Sequence, residues 1–184
     1  MKNLKGFTLI EFTVALAAVS IILFGLLVIY PKMTNSNKVD QEIRNISMLA
    51  IGINSFYQGQ ANYSTVNNKN MINASIVPDI MKLQGKDDKG LYTLYNAWKG
   101  EVVLSSANKQ IGLQQIPYAL YSIKYEGVPS DDCIRIVAAL KNNKFYWIEV
   151  NQNAVISQTH VYDIKDVAEQ CNKFKNNELI FYGI

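Results

Sequence analysis

Glu11 is the residue near the start of the chain whose type and position could do chemistry. It is the one acidic side chain in an apolar run from Phe7 to Tyr30. An ionisable group at membrane depth costs a few kcal/mol or more. Opposite charges attract strongly in a low dielectric, whereas an uncompensated charge there is costly. Glu11 is therefore a candidate for charge pairing when apolar helices assemble.

The apolar run is long enough to cross a bilayer. At a rise of about 1.5 Å per residue, the segment 7–30 would cover roughly 36 Å, against about 30 Å of hydrocarbon. Thr13 and Ser20 can bond back to their own helix. Lys2 and Lys5 precede the run. The positive-inside rule therefore places Met1 in the cytoplasm and everything after Tyr30 outside.

Two ordinary interpretations of this segment each fail to account for one of its features. A cleaved secretory signal has a shorter apolar core and a small-residue cleavage site, whereas Leu27–Pro31 is a poor site. A single-pass anchor fits the length and the charge but has no use for Glu11. The segment Gly6–Glu11 resembles the N-terminal motif of type IV pilins. In that family a membrane-embedded prepilin peptidase cuts after the glycine.

The resemblance implies roles for three residues of the motif. The peptidase would cut between Gly6 and Phe7, which makes residues 1–6 a leader, and Phe7 would then be N-methylated. The new amine on Phe7 would be a cation, and Glu11 would neutralise it on its own helix or on a neighbouring subunit. Such pairing would set the register in which subunits polymerise.

The helix is expected to continue beyond the apolar run, to residue 57. Pro31 predicts a kink near 28–31, because proline removes a backbone hydrogen bond, and Gly25 adds local freedom. Residues 31–57 then show one amphipathic pattern with spacings of three and four. The apolar stripe is Val39, Ile43, Ile46, Leu49, Ile53 and Phe56, with Lys38, Asp40, Gln41, Glu42, Arg44 and Asn45 expected largely off it. The alternative is an anchor and a separate soluble helix, divided at Pro31.

Residues 58–184 are enough for one head domain with one core. The polar segment 58–76 predicts a loop with short helical or extended pieces. Strands are predicted at 101–104, 119–125, 144–150, 155–161 and 179–182, helices at 78–83 and 164–173, and turns at 85–90 and 151–153. The run 133–140 fits either state, but a helix capped by Ser130 or Asp131 fits better. The predicted fold class is α+β, a long N-terminal helix packed against a mostly antiparallel sheet.

Two segments of the head extend the resemblance. Asn96–Val103 and Tyr121–Cys133 look like the start of the sheet and the first-cysteine segment of type IVb pilins. That group includes the thin-pilus pilins of conjugative plasmids and the pilins of some enteric pathogens. Two features depart from it: the leader of six residues is short for type IVb, and Phe7 is the residue more usual at the cleavage site of type IVa.

Cys133 and Cys171 are the two cysteines of the chain. Type IV pilins carry a C-terminal disulfide that bounds an exposed variable region, and the resemblance implies this role for the pair. Disulfides persist outside the cytoplasm, and a bridge over a loop of this size is worth roughly 3–4 kcal/mol in the chain-entropy model. Two free buried thiols or a metal-binding pair are the alternatives.

The remaining candidate residues do not indicate catalysis, a cofactor or a metal site. His160 is the single histidine and is expected to be structural. Asp131–Asp132 and Asp87–Asp88 lack the ligand number of a calcium loop and are expected to be solvated turns. Trp98 and Trp147 are expected in the core. A net charge of +3 without a basic stripe gives no indication of nucleic-acid binding.

The resemblance implies a structural subunit and not an enzyme. The precursor would sit in the bacterial inner membrane, and the processed chain would polymerise through its N-terminal helix into a helical extracellular filament. Partners would be copies of itself, the prepilin peptidase, and an assembly platform with its ATPase. The filament would serve adhesion, cell–cell contact, conjugation or motility. The alternatives are a type II secretion or competence pseudopilin, a minor pilin, and an unprocessed membrane-anchored adhesin.

Overall fold

The computed structural model describes residues 9–82, 93–109, 117–142, 145–157 and 159–184, with the backbone alone for residues 25–35. The turn predicted at 85–90 lies outside the described residues. The chain divides into two compact units, Met1–Lys38 and Val39–Ile184.

The described part of the first unit is helical. Helix α1 spans Leu9–Tyr57, and the part of it that belongs to this unit begins at Leu9. Its apolar side chains from Leu9 to Phe24 are exposed in the single chain. Within the described residues, no helix reaches the combination of length and hydropathy needed to span a bilayer.

Two hydroxyl groups of this helix bond to their own backbone. Thr13 Oγ1 donates to the carbonyl oxygen of Ile10 at 2.9 Å, and Ser20 Oγ donates to that of Leu16 at 2.8 Å. Both contacts confirm the prediction that these side chains satisfy themselves locally. The backbone is helical through Pro31, so this proline does not separate two helices. The kink near residues 28–31 stays a prediction.

The second unit has the predicted α+β architecture. Its strands are β1 (Leu94–Tyr95), β2 (Glu101–Ala107), β3 (Leu120–Pro129), β4 (Phe145–Val150), β5 (Asn153–Ile156) and β6 (Asn176–Gly183); its helices after α1 are α2 (Asn68–Asn73), α3 (Ser130–Leu140) and α4 (Ile164–Asn172), with a 3₁₀ helix at Asp79–Met81. The strands form one sheet in the order β1-β2-β3-β6-β4-β5, and each neighbouring pair is antiparallel. The last strand therefore lies in the interior of the sheet.

The core lies between this sheet and the residues of α1 that belong to the second unit. The stripe predicted on α1 is buried at Val39, Ile46, Leu49 and Ile53, and it meets sheet residues such as Ile123. The end of the stripe differs, because Phe56 is half exposed.

Two polar residues that were expected off the stripe of α1 are buried. Glu42 and Asn45 are each only 3% exposed. That expectation was wrong because other parts of the head pack against this side of the helix: the Ala97 amide and the Tyr125 hydroxyl bond to Glu42, and Asn45 bonds to the same carboxylate.

The disulfide region is the segment from Cys133 to Cys171. Its two helices lie where they were predicted, and two ends of elements in or next to it differ. α3 begins after Pro129, and no side chain caps it. Ser130 Oγ instead donates to the carbonyl of Phe174 at 2.9 Å. β5 ends at Ile156, five residues before the predicted end, because a turn follows in which Ser157 N donates to the His160 carbonyl at 2.9 Å.

Candidate functional site

The N-terminal motif is described only in its last residues. Glu11 lies in the first turn of α1, and its side chain is exposed in the single chain. Gly6 and Phe7, the residues of the predicted cleavage site and methylation site, lie outside the described residues. The side chains at the predicted helix kink, Gly25 and Pro31, are also outside them. The roles assigned to these four residues and to Glu11 stay predictions.

The two cysteines form a disulfide. Cys133 is in the first half of α3 and Cys171 is near the end of α4, and their Cα atoms are 5.9 Å apart. Both side chains are fully buried. The bond excludes the alternatives of free thiols and of a metal-binding pair. It joins two helices over a segment that also holds β4 and β5, so this segment is tied to the core at both ends.

Glu42 of α1 is the centre of a buried polar cluster. Its Oε1 accepts a hydrogen bond from the Ala97 amide at 2.8 Å. Its Oε2 accepts hydrogen bonds from the Tyr125 hydroxyl and from Asn45 Nδ2, both at 3.2 Å. Burial raises the pKa of Glu42, although the three hydrogen bonds act in the opposite direction. Burial and the carboxylate of Glu42 raise the pKa of Tyr125 well above its usual value, so the phenol remains a donor.

The turn that bonds to Glu42 is itself held by Asn96. The side-chain oxygen of Asn96 accepts hydrogen bonds from the amides of Trp98 at 3.0 Å and Gly100 at 2.9 Å, and its Nδ2 donates to the Glu126 carbonyl at 2.7 Å. A Cβ on Gly100 would lie 1.7 Å from that same carbonyl oxygen. Glycine is therefore required at this position for the turn to reach β3.

Trp98 connects the turn to the disulfide region. Its Nε1 donates to Asp132 Oδ2 at 3.0 Å, and Asp132 is only 2% exposed. The expectation of a solvated turn at Asp131–Asp132 was wrong for Asp132, because the indole covers its carboxylate at the start of α3. Hydrogen bonds thus run from Glu42 through the turn to the residue preceding Cys133. The carboxylates of Glu42 and Asp132 in this network both accept hydrogen bonds from protein donors, so the network positions α1 and α3 relative to the turn.

A second cluster holds Lys109, which follows β2, against the sheet. The Lys109 ammonium contacts Glu149 Oε1 and lies 4.5 Å from the ring centroid of Trp147 and 4.6 Å from that of Tyr182. The Tyr182 hydroxyl donates to Glu149 Oε2 at 3.0 Å. Burial and the nearby Glu149 raise the pKa of Tyr182, so this phenol also stays protonated. The cluster ties Lys109 to β4 and β6.

His160 has the structural role that was expected of it. Its Nε2 lies 2.9 Å from Asp166 Oδ2 in a surface pair that joins the turn after β5 to α4. Across the described ranges, no group of three or more His, Cys, Asp or Glu side chains could hold a metal ion.

The buried cluster around Glu42 was missed in the sequence, although a signal for it was present. Glu42 follows Val39 by three residues and precedes Ile46 by four, which is the spacing of the buried stripe itself. An acidic residue at that spacing indicates a buried acceptor that needs donors from another element. The identity of the donors, Ala97 and Tyr125, depends on contacts between segments far apart in the chain.

Comparisons with known proteins agree on a family. Residues 36–183 match the family described as PilS N terminal. The major structural subunit of bundle-forming pilus from Escherichia coli O127:H6, and the protein of the same name from Escherichia coli O111:H-, are each 30% identical to the chain over 104 residues, which is 56% of this chain and 51% of each relative. The chain thus spans about half the length of the curated relatives it matches.

Two solved structures share the fold. The type IVb pilin from Salmonella typhi superposes with a TM-score of 0.60 at 20% identity, over 77% of this chain and 97% of that one. TcpA, a type IV pilin from Vibrio cholerae El Tor biotype, gives a TM-score of 0.54 at 11% identity, over 80% and 99%. The family match covers residues 36–183, which is most of the chain, and the two solved structures share its fold. The chain therefore belongs to the PilS N-terminal family of type IV pilins.

Proposed function

We propose that this chain is a structural subunit of a type IV pilus. The precursor is inserted in the bacterial inner membrane, and the prepilin peptidase cuts it between Gly6 and Phe7. Phe7 is then N-methylated, and the subunit polymerises through its N-terminal helix into an extracellular filament. An assembly platform and its ATPase are the further partners. The filament serves adhesion, cell–cell contact, conjugation or motility.

The observation that carries the proposal is the family match over residues 36–183. The curated relatives are named as major structural subunits of a pilus. The disulfide between Cys133 and Cys171 supports a pilin in preference to a major secretion pseudopilin, since the latter generally lacks it. The exposed apolar side chains at the start of α1 also support assembly, because apolar surface of this extent gains free energy when a lipid or another subunit covers it.

The first experiment tests processing at the predicted site. Protein sheared from the cell surface is measured by intact mass and N-terminal sequencing. We expect a chain that begins at N-methylated Phe7 and is two hydrogens lighter than the reduced form. Gly6→Ala should leave the uncut precursor in the membrane fraction, whereas the control Gly25→Ala should be cut normally. Normal mature protein and fibres from Gly6→Ala cells would refute the assignment.

A second experiment tests the pairing of Glu11 with the Phe7 amine. Glu11→Val should be processed normally but should enter filaments poorly, because the amine of a neighbouring subunit would remain uncompensated in a low dielectric. Thr13→Val, which introduces the same residue two positions along the same helix without removing a charge, is the control and should assemble normally. The measurement is the mass of sheared fibre per cell. Fibre at the wild-type level from Glu11→Val cells would show that this charge does not guide assembly.

A further inference from the structure

The β1–β2 turn, residues 96–100, bonds to two helices that are remote from each other in the chain. On one side the Ala97 amide donates to Glu42 Oε1 of α1 at 2.8 Å. On the other side Trp98 Nε1 donates to Asp132 Oδ2 of α3 at 3.0 Å. Neighbouring residues make the two bonds, so the turn cannot shift at one helix without changing its contact with the other.

The backbone of this turn is held in a strained conformation. Lys99 has a φ of 65°, in the left-handed region that residues other than glycine rarely adopt. The Lys99 amide donates to the Asn96 carbonyl at 2.9 Å, and the Asn96 amide donates to the Gly100 carbonyl at 3.0 Å. Strain of this kind persists only while the surrounding contacts hold it. The turn therefore relaxes to a second conformation when one of those contacts is lost.

Both bonds that leave the turn end on buried carboxylates, those of Glu42 and Asp132. A hydrogen bond to a buried charged group is strong, and its loss leaves that group without compensation. A direct contact between the two helices is weaker, because Arg135 Nη2 lies 3.9 Å from Asp40 Oδ1 and both side chains are exposed. The route through the turn therefore dominates the energetic link between α1 and α3.

From these contacts we propose that the β1–β2 turn is a conformational coupler between α1 and the disulfide region. While Glu42 holds the Ala97 amide, the turn keeps its left-handed form and the Trp98 indole stays on Asp132, the residue before Cys133. When this hold weakens, the turn relaxes, the indole leaves Asp132, and the first half of α3 opens more often. Coupling between two sites is reciprocal, so loosening the α3 end also weakens the contact at Glu42.

The coupler would connect assembly to the surface of the head. Met48 and Ile51 of α1 are 48% and 67% exposed, so this helix presents an apolar face that a neighbouring subunit can press on. Contacts at this face would shift Glu42 on the same helix and thereby change how often α3 opens. This consequence rests on the proposed function, whereas the coupling itself does not, because it is a property of the single chain.

The test uses the unassembled full chain in detergent, with the disulfide intact. Native-state hydrogen exchange followed by mass spectrometry measures how often each segment opens. Glu42→Leu removes the acceptor of the Ala97 amide but keeps a buried side chain of similar size. We expect the amides of residues 134–137 in α3 to exchange about tenfold faster relative to those of β6, as the loss of a bond to a charged group predicts.

Further variants separate the turn from general packing. Asp40→Asn is the matched control on α1, because it removes only the exposed ion pair with α3, and it should change the exchange ratio less than about twofold. Trp98→Phe removes the indole donor but keeps a ring. It should speed exchange in α3 and also, by reciprocity, at the Ala97 amide. Adding Glu42→Leu to Trp98→Phe should have little further effect, since both break one route.

Three results would overturn the proposal. These are equal acceleration in α3 and β6, unchanged exchange of the Ala97 amide in Trp98→Phe, and independent effects that multiply in the double variant. Lys99→Gly tests the turn without removing a buried group, because it relieves the strain at an exposed position. It should slow exchange in α3 at least about twofold, and unchanged exchange would also refute the coupler. None of these results depends on cleavage at Gly6, so failure of the pilin assignment and failure of the coupler can be told apart.

Discussion

Removal of the disulfide tests how much the disulfide region depends on a covalent link. The bridge spans a sequence separation of 38 residues. With the chain-entropy relation, a loop of this length corresponds to about 4 kcal/mol of stability at 25 °C, since the open chain regains the freedom that the bridge removed from the unfolded state. For a chain of this size, this amounts to a fall in the unfolding midpoint of roughly 8–16 °C.

The variant for this test is the double substitution Cys133→Ala with Cys171→Ala. A single substitution would leave a thiol free for exchange with other chains. Urea unfolding of the full chain in detergent, followed by tryptophan fluorescence and by circular dichroism, gives the free energy of unfolding of each form. Coincident transitions by the two probes are needed before a single free energy is derived.

Reduced wild-type protein is the control for packing. It loses the covalent link but keeps both buried sulfur atoms, which fill fully buried positions in the core. The double variant should therefore be slightly less stable than reduced wild type, because it also leaves space where the sulfur atoms were. If reduced wild type stays within about 1 kcal/mol of the oxidised protein, the chain-entropy argument fails for this loop.

Two further predictions concern the buried network that leads from α1 to the disulfide region. The first is that Glu42→Gln removes a pH dependence. Burial raises the pKa of Glu42 above its unfolded value of 4.5. The contribution of Glu42 to stability is therefore fully present below pH 4.5 and is lost as pH rises through the raised pKa. In urea titrations from pH 4 upward, the wild type should lose stability relative to the variant over that range. Glu101→Gln, an exposed position on β2, is the control, and parallel curves for wild type and Glu42→Gln would contradict the burial argument. The second is that Gly100→Ala destabilises the protein by roughly 3 kcal/mol or more, because the new methyl group would overlap the backbone carbonyl of Glu126. Gly59→Ala is the control: its site has open space, so its stability should fall only by the smaller strain of a left-handed backbone. Equal losses of stability in the two variants would refute the close approach of Gly100 to Glu126.

The secondary structure of the head was largely predictable because its signals are local. Ser130 follows a proline and precedes an amphipathic run, which predicts a helix start. That helix is α3. The turn predicted at 151–153 is present, and Asn151 and Gln152 have a positive φ, 50° and 66°. Asparagine tolerates this left-handed backbone. The end of β5 was not predictable from composition, because a hydrogen bond between Ser157 and His160 closes a turn there.

In the candidate site, too, some features could be predicted from the sequence and others could not. The pairing of Cys133 with Cys171 needed no knowledge of the fold beyond the resemblance, since the chain has two cysteines. The burial of Asp132 under Trp98 could not be predicted, because 34 residues separate them. The contact of the Ala97 amide with Glu42 could not be predicted either, because 55 residues separate the two positions.

The sequence alone determined the class of the fold, the places of most helices and strands, and the family to which the chain belongs. Helix periodicity, turn residues and the N-terminal motif are properties of neighbouring residues, and neighbours in the chain are always near in space. The tertiary structure decided that β6 lies between β3 and β4, that Glu42 is buried, and that Trp98 bonds to the buried Asp132. These features depend on the free energy of packing remote segments together. Which donors and acceptors meet there depends on how the whole chain folds.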